Sequence, residues 1–469
     1  MLDFLALMLG LALPWSLGIA LLATVYRRAD APPASWLFGC GWFVGIFLLT
    51  LAIRAVSATG IRLSIASVGI PLLIATVLAV LVALRGNTGR LANAIRTSLR
   101  ALAGEGLEGW QRTVWRLIVV WLAIRFALLF AEVWWRPLYP WDAWTQWSTK
   151  ARVWFELGAL APFVEVTEWL GRTAPNSYFD HGPFYPGTVP LFQVWAALLI
   201  GRWDDALVNL PWWMTGVAFA FAFHGGLRQL GFAPMIALAG TAIAMSLPIL
   251  NVHVALAGYA DLPMAAYLTL GSLAALRSVD TRRPADIALA AILLVACVMV
   301  KNPGKVWLVV LLSGLVVATL PRRGLQIVGI AFAAAALAIT VLARTGVKLL
   351  GYQLLPKFMM PWGALFDAYF SYGNWHLLWY FALATAVLGW RQLLSREVAP
   401  FTCVVTAGLM FLFVGFAFTN AFLWVEDQST VNRATLHLAP LIVVWMLVTL
   451  RAWYVSRTAA APALQVRPG

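Results

Sequence analysis

Leu63 to Leu84 reads LSIASVGIPLLIATVLAVLVAL, a run without one charged side chain. At about 1.5 Å per residue a helix of this length covers the roughly 30 Å of a bilayer's hydrocarbon core. The run lacks the dyad alternation of an outer-membrane strand. In hydrocarbon only helices and closed barrels satisfy every backbone polar group, so it reads as a membrane helix. Similar runs recur from end to end, in a chain that is 62% hydrophobic and 11% charged. An ordinary soluble domain carries about 25% charged residues, so this chain lacks the polar surface of a water-soluble globule. The expected fold class is an all-α integral membrane protein.

Spans are predicted at 3–26, 36–54, 63–84, 115–135, 206–226, 232–250, 260–277, 285–301, 303–320, 325–344, 375–391, 399–421 and 436–455, about thirteen transmembrane helices. The first run has no basic segment ahead of it, and Arg27 and Arg28 follow it, so it reads as a retained span with its N-terminus outside. Basic residues gather in the loops at Arg27–Arg28, Arg85–Arg116, Arg228, Arg277–Arg283, Arg322–Arg323, Arg391–Arg396 and Arg451–Arg457. One alternating topology makes all of them cytoplasmic, and it explains the net charge of +14 without a nucleic-acid partner. Cys40, Cys297 and Cys403 lie inside apolar runs with no metal-like spacing and read as packing residues.

That sidedness requires an even number of crossings between the Arg85–Arg116 loop and Arg228. The short apolar segment from Val189 to Ile200, with Pro190 at its start and Gly201-Arg202 after it, is therefore expected to lie in the outer interface without crossing. Residues 136–205 become one long external loop containing interfacial helices; smaller ones cover 346–374 and 422–435. The chain then divides into N-terminal helices with a basic cytoplasmic loop (1–112), a core holding the external loop (113–345), and C-terminal helices with their own external loops (346–469).

The long loop opens on Tyr139-Pro140-Trp141-Asp142-Ala143-Trp144-Thr145-Gln146-Trp147-Ser148-Thr149-Lys150. A carboxylate at a membrane boundary is costly unless it has a partner or a task. Alternatively the indoles are an interfacial belt and Asp142 is the N-cap of the following helix. A helix begun at Asp142 would align Gln146 and Lys150 with it, a stripe suited to a hydroxyl and a phosphate. Further on, Tyr178-Phe179-Asp180-His181-Gly182-Pro183-Phe184-Tyr185-Pro186 is a tight turn displaying Asp180 and His181, which could orient a substrate or bind a divalent cation. Gly258-Tyr259-Ala260-Asp261-Leu262-Pro263 is an ordinary helix start with Asp261 as its cap. Lys301 and Lys305, around Asn302-Pro303-Gly304, stand on the side where positive charge is disfavoured, and so does Arg433, between Glu426-Asp427 and His437. Such cations suit an anion; snorkelling to the interface is the plainer account.

Taken in order, these landmarks resemble the GT-C superfamily of polytopic glycosyltransferases, in particular bacterial members near the protein mannosyltransferase and aminoarabinose transferase families. The resemblance rests on Trp141-Asp142-Ala143 with Lys150-Ala151, Tyr185-Pro186 with Pro190-Leu191, Gly258 through Pro263, Lys301-Asn302, and Arg433 with His437 and Pro440. It covers about residues 136 to 440. It implies transfer of a sugar from a polyprenyl-phosphate donor to a glycan, lipid or protein acceptor, at the periplasmic or external face of a bacterial cytoplasmic membrane. It further implies Asp142 as catalytic base or metal holder, with Lys150, Lys301 and Arg433 on the donor phosphate. Gln146, Asp180, His181, Tyr185 and Asp261 are the expected substrate-binding side chains, and Asp142, Asp180 and His181 the candidate ligands if a divalent cation takes part. Two features depart from the family pattern: Asp142 stands without an acidic neighbour, and three spans precede the loop's own helix where one is typical. A lipid-linked-substrate transporter or flippase is the main alternative, although no internal repeat is evident and the charges gather at the outer boundary except for Arg54 and Arg125.

Overall fold

The computed structural model describes residues 2–460 except 27–31, 86–92, 94–95, 98–99, 101–102, 172–176 and 350–351. Arg27, Arg28 and Arg90 of the basic loops therefore lie outside the described residues. Regular structure is almost wholly helical: the strands among the described residues form two two-stranded ladders, Phe163–Val164 parallel to Tyr178–Phe179, and Lys348–Leu349 antiparallel to Tyr352–Gln353.

Eight of the described helices are long and apolar enough to cross a membrane: Leu2–Val25, Ala34–Ala58, Ile65–Leu84, Gly109–Trp135, Asp261–Thr281, Pro321–Ala343, Ala399–Ala417 and Ala439–Thr458. Pro234–Ser246 and Pro248–Ala255, bent by 64°, make a ninth if taken as one broken span. Of the apolar window of Gly109–Trp135 only 11% is buried within the protein, and of Pro321–Ala343 only 6%. In water, apolar faces that wide would drive aggregation; a bilayer covers them. The protein is an all-α, multi-pass membrane protein. The expected count of thirteen is not confirmed among the described residues, and three of the expected spans are short. Pro284–Val300 and Pro303–Thr319 have 17 residues each and Leu378–Leu388 has 11, or about 26 Å and 17 Å of helix against roughly 30 Å of hydrocarbon. Leu210–Gln229 is a helix of 20 residues that is not among the eight.

The chain forms two compact units. The first holds residues 1–246, 250–274 and 283–305. Its N-terminal helices cross at small residues, as membrane helices do where backbones must approach closely. A Cβ on Gly45 would stand 1.7 Å from the carbonyl oxygen of Pro14, and one on Gly39 would stand 2.3 Å from the amide nitrogen of Ala222. Trp42 Nε1 donates to Thr215 Oγ1 (3.0 Å) and Trp195 Nε1 to the carbonyl of Gly10 (3.1 Å), tying the first two helices to Leu210–Gln229 and to Thr188–Ile200. The helix Thr188–Ile200 is buried along nearly its whole length. The expected interfacial helix is thus covered by protein, and its one buried amide, Gln193, donates to Asn209 Oδ1 at 2.9 Å.

Arg125, mid-span in Gly109–Trp135, has its reason here. The break at Leu247-Pro248 frees carbonyls of the preceding turn. Asn251 Nδ2 donates to the carbonyl of Met245 (2.9 Å), Arg125 NH2 to that of Ser246 (3.5 Å), and Arg125 Nε to Asn251 Oδ1 (2.9 Å).

The second unit comprises residues 247–249, 275–282 and 306–469. A small apolar core of Val317, Val328, Ala399 and Cys403 joins three of its helices. Gly389 stops Leu378–Leu388 hard against Thr449 of the last helix.

Candidate functional site

Pro140 starts the helix that carries Asp142, its carbonyl accepting from the amides of Ala143 (2.9 Å) and Trp144 (3.2 Å). Asp142 already has helical backbone angles, φ −62° and ψ −26°, and its carboxylate does not cap the turn it opens. The alternative reading of Asp142 as an N-cap is therefore not met. From Ala143 to Trp147 the helix widens into a π turn, with more residues per turn than an α-helix, then continues as Ser148–Leu157 until Gly158 at φ +67°. The wider turn rotates Lys150 away from the stripe expected to run from Asp142 through Gln146. Lys150 falls on the buried face with Trp147, Ala151 and Trp154, while Asp142 and Gln146 are half-buried.

Lys150 is spent inside the protein. Its ammonium lies 2.5 Å from Asp180 Oδ2 and donates to the carbonyl of Gly182 at 2.7 Å, while Asp180 Oδ1 accepts from the amide of Gly182 at 2.8 Å. Both side chains are sealed, at 3% and 0% exposure. The rings of Trp147 (5.8 Å) and Phe163 (6.0 Å) face the cation. Burial pushes the Lys150 ammonium below its usual range, and the hydrogen bond and charge of Asp180 pull it back up. The group thus closes the loop into a box and is not presented to a phosphate. Gln146 and Tyr185 border the same box: a Cβ on Gly182 would meet Gln146 Oε1 at 3.0 Å and the Tyr185 ring at 2.5 Å. Tyr185 also packs on Trp147, ring centres 5.3 Å apart. His181 points outward beside Phe179. Asp142, Asp180 and His181 do not assemble as ligands, and no group of three or more His, Cys, Asp or Glu among the described residues is placed to hold a metal ion.

The second buried charge group lies at the start of Asp261–Thr281. Asp261, with no exposed surface, accepts from Lys301 Nζ at 2.7 Å on Oδ1, and His253 Nε2 lies 3.8 Å from Oδ2. Lys301 retains 13% exposure. Asp261 occupies the first turn, whose cap is the carbonyl of Ala260, bonded to the amide of Met264 (3.0 Å). Its carboxylate serves a lysine from a later helix end, beyond the whole of Asp261–Thr281 and Pro284–Val300. Sequence reasoning missed His253. The available signal was a lone imidazole inside the apolar run Ile249 to Leu256, a short way ahead of an acid.

Contacts across the sequence gather these motifs. Gly258, at φ +102°, lies so close to the π turn that a Cβ there would stand 2.6 Å from Ala143 Cβ. Asn302 Nδ2 reaches the carbonyl of Phe184 at 3.4 Å. The N-terminal helices brace the far side of the loop: Arg54 NH2 donates to Thr188 Oγ1 (3.4 Å), Leu63 N to the Gly158 carbonyl (2.6 Å), and Leu160 N to Ser57 Oγ (2.9 Å). That gives Arg54 and the additional helices a part, holding the loop that carries Asp142. Gly258→Ala is expected to cost at least the roughly 1–3 kcal/mol of a strained backbone, and more through the overlap with Ala143. The measurement is the thermal unfolding midpoint of the purified protein, and a wild-type midpoint would refute this packing.

Arg433 belongs to the second unit, half-buried on the short helix Val431–Leu436. Its neighbours in sequence are pinned: Trp375 Nε1 donates to Asn432 Oδ1 (2.9 Å), Tyr369 Oη pairs with Thr435 Oγ1 (2.7 Å), and Trp307 Nε1 donates to His437 Nδ1 (3.1 Å). Burial pushes the Tyr369 phenol up to about 12, so it serves as a neutral hydrogen-bonding group.

No protein-family model, curated protein or solved structure matches the chain.

Proposed function

We propose that the chain is a membrane glycosyltransferase of the GT-C type, moving a sugar from a polyprenyl-phosphate donor to an acceptor hydroxyl at the face of the bacterial cytoplasmic membrane where the long loop emerges. The observation that carries this reading is Asp142. It is a half-buried carboxylate in the first long loop, at the opening of a π turn held against the Gly258–Asp261 turn. π turns inside helices are frequent at functional sites.

In this reading Asp142 takes the proton of the acceptor hydroxyl while its oxygen bonds the anomeric carbon. The bond from that carbon to the phosphate oxygen breaks, and the phosphate departs with the electron pair. Phosphate is already a good leaving group, so one carboxylate base suffices and inversion follows. Lys301, held by Asp261 yet still partly exposed, is the cation assigned to the departing charge. Gln146, Tyr185 and His181 remain the groups assigned to sugar and acceptor. Lys150 and Asp180 become the frame of the loop.

Transport has one observation in its favour, the broken helix pair with Arg125 beside it, since discontinuous helices line transporter sites. Arg125 and Asn251 bond each other and two carbonyls freed by that break, which accounts for both without a substrate. The discriminating experiment incubates purified protein with a panel of radiolabelled polyprenyl-phosphate sugars and candidate acceptors. Acceptor-dependent release of lipid phosphate is expected. Movement of intact lipid-linked sugar across a vesicle membrane, without release, would replace transfer with flipping.

A further inference from the structure

Within the second unit, residues 354–372 turn four aromatic side chains outward, while Tyr369 faces in against Trp379 and Thr435. Phe358, Trp362, Phe366 and Tyr372 are 44%, 57%, 58% and 61% exposed. They sit on and around a short helix, Trp362–Phe366, that runs into a π turn, Asp367–Ser371. The rings pack on one another and not under a core: Phe358 on Trp362 at 6.0 Å, Phe366 stacked on Phe370 at 5.3 Å. A water-facing loop with this surface would be an exposed apolar patch that needs a cover.

The neighbours identify the cover. On one side Phe358 and Trp362 reach Phe413 (6.1 and 6.4 Å), an exposed ring of the membrane-crossing helix Ala399–Ala417. On the other, Phe370 packs on Tyr380 (5.2 Å), whose hydroxyl donates to the Phe370 carbonyl (3.3 Å). Tyr380 leads the outward face of Leu378–Leu388, continued by Phe381, Leu383 and Val387, all more than half exposed. The patch is therefore continuous with two outward apolar helix surfaces, one of them on a membrane-crossing helix. Aromatic rings of this kind concentrate where headgroups meet acyl chains. Lys357, exposed and next to Phe358, is long enough to hold its ammonium at phosphate level while its stem follows the rings.

We propose that residues 354–372 form a lipid-bound interfacial element, with Phe358, Trp362 and Phe366 at the acyl boundary of the adjoining leaflet and Lys357 on the phosphate of an anionic phospholipid. This holds whether or not the chain transfers sugar. The three native cysteines are buried, so the full-length protein with Ser371→Cys accepts a bimane label, and Gly363→Cys, also exposed, gives an independent second site. The labelled protein is reconstituted into phosphatidylcholine vesicles with and without phosphatidylglycerol. Quenching by shallow doxyl lipids is expected to exceed quenching by aqueous iodide at both sites. In phosphatidylglycerol vesicles Lys357→Glu should cut the lipid quenching about twofold, with little change in phosphatidylcholine alone. Full iodide quenching with none from doxyl lipid would overturn the interfacial placement. An unchanged profile for Lys357→Glu in phosphatidylglycerol would overturn the phosphate contact.

Discussion

Asp142→Asn is expected to lower turnover at saturating donor by about 10²- to 10⁴-fold, the usual contribution of a general base, while leaving the thermal unfolding midpoint near that of the wild type. Asn keeps the shape of the side chain and loses its charge and its capacity to take a proton. Stability should hardly change because the carboxylate does not cap the turn it opens, and the helix starts on the carbonyl of Pro140. Had Asp142 been a cap, Asn would serve nearly as well and neither quantity would move. The predicted loss corresponds to about 3–5 kcal/mol of barrier, well beyond a capping defect of about 1 kcal/mol. Donor binding should persist, since a proton acceptor acts in the transition state and the ground state needs it little. Turnover within about threefold of wild type, in protein of unchanged stability, would remove Asp142 from the chemistry and the glycosyltransferase reading with it.

Helical membrane architecture was legible in the sequence because hydrocarbon tolerates so little else. A run such as Leu63 to Leu84 fixes both the element and its surroundings. The number of crossings was less legible. The apolar runs at 285–301 and 303–320 read as full spans, but Pro284 and Pro303 set where each helix starts, and 17 residues remain in each. The 232–250 run hides Pro248, which divides one span into two pieces bent by 64°. The cover of Thr188–Ile200 was legible too: a short, nearly all-apolar helix has no polar face to turn to water, and protein buries it.

Residue types at the candidate site were legible; partnerships were not. Lys150 and Lys301, read as cations in need of an anion, do have one, but it is supplied by the chain: Asp180, across the ladder of the long loop, and Asp261, at the head of an earlier helix. Nothing in local sequence shows such pairing, because it depends on the parallel ladder of Phe163–Val164 with Tyr178–Phe179 and on the helix that Asp261 opens. The π turn at Ala143–Trp147 was equally invisible, and it separates Lys150 from the stripe of Asp142 and Gln146. Gly258, by contrast, was marked in its motif, and its close approach to Ala143 is a reason for a residue without a side chain there.

Removing one partner of the Lys150–Asp180 pair should therefore damage the fold before it damages donor binding. Lys150→Met leaves a sealed carboxylate without its counter-ion, and breaking a buried pair in this way typically costs about 3–5 kcal/mol. Asp180→Leu strands the ammonium and should cost a similar amount. The double variant, Lys150→Met with Asp180→Leu, removes both charges together, and an apolar replacement of a whole buried pair is often close to neutral. Recovery should still be partial, because Gly182 loses a partner at its amide and another at its carbonyl, each worth about 1–3 kcal/mol when buried and unpaired. The expected order of thermal midpoints is wild type, double variant, then the two single variants, with a clearly non-additive cycle. A phosphate-binding Lys150 would behave otherwise: Lys150→Met would keep its midpoint and raise KM for the donor, and Asp180→Leu would do no more than alter that affinity. An unchanged midpoint for Lys150→Met would return the lysine to the substrate and leave the loop without the buried strut that the 2.5 Å contact describes.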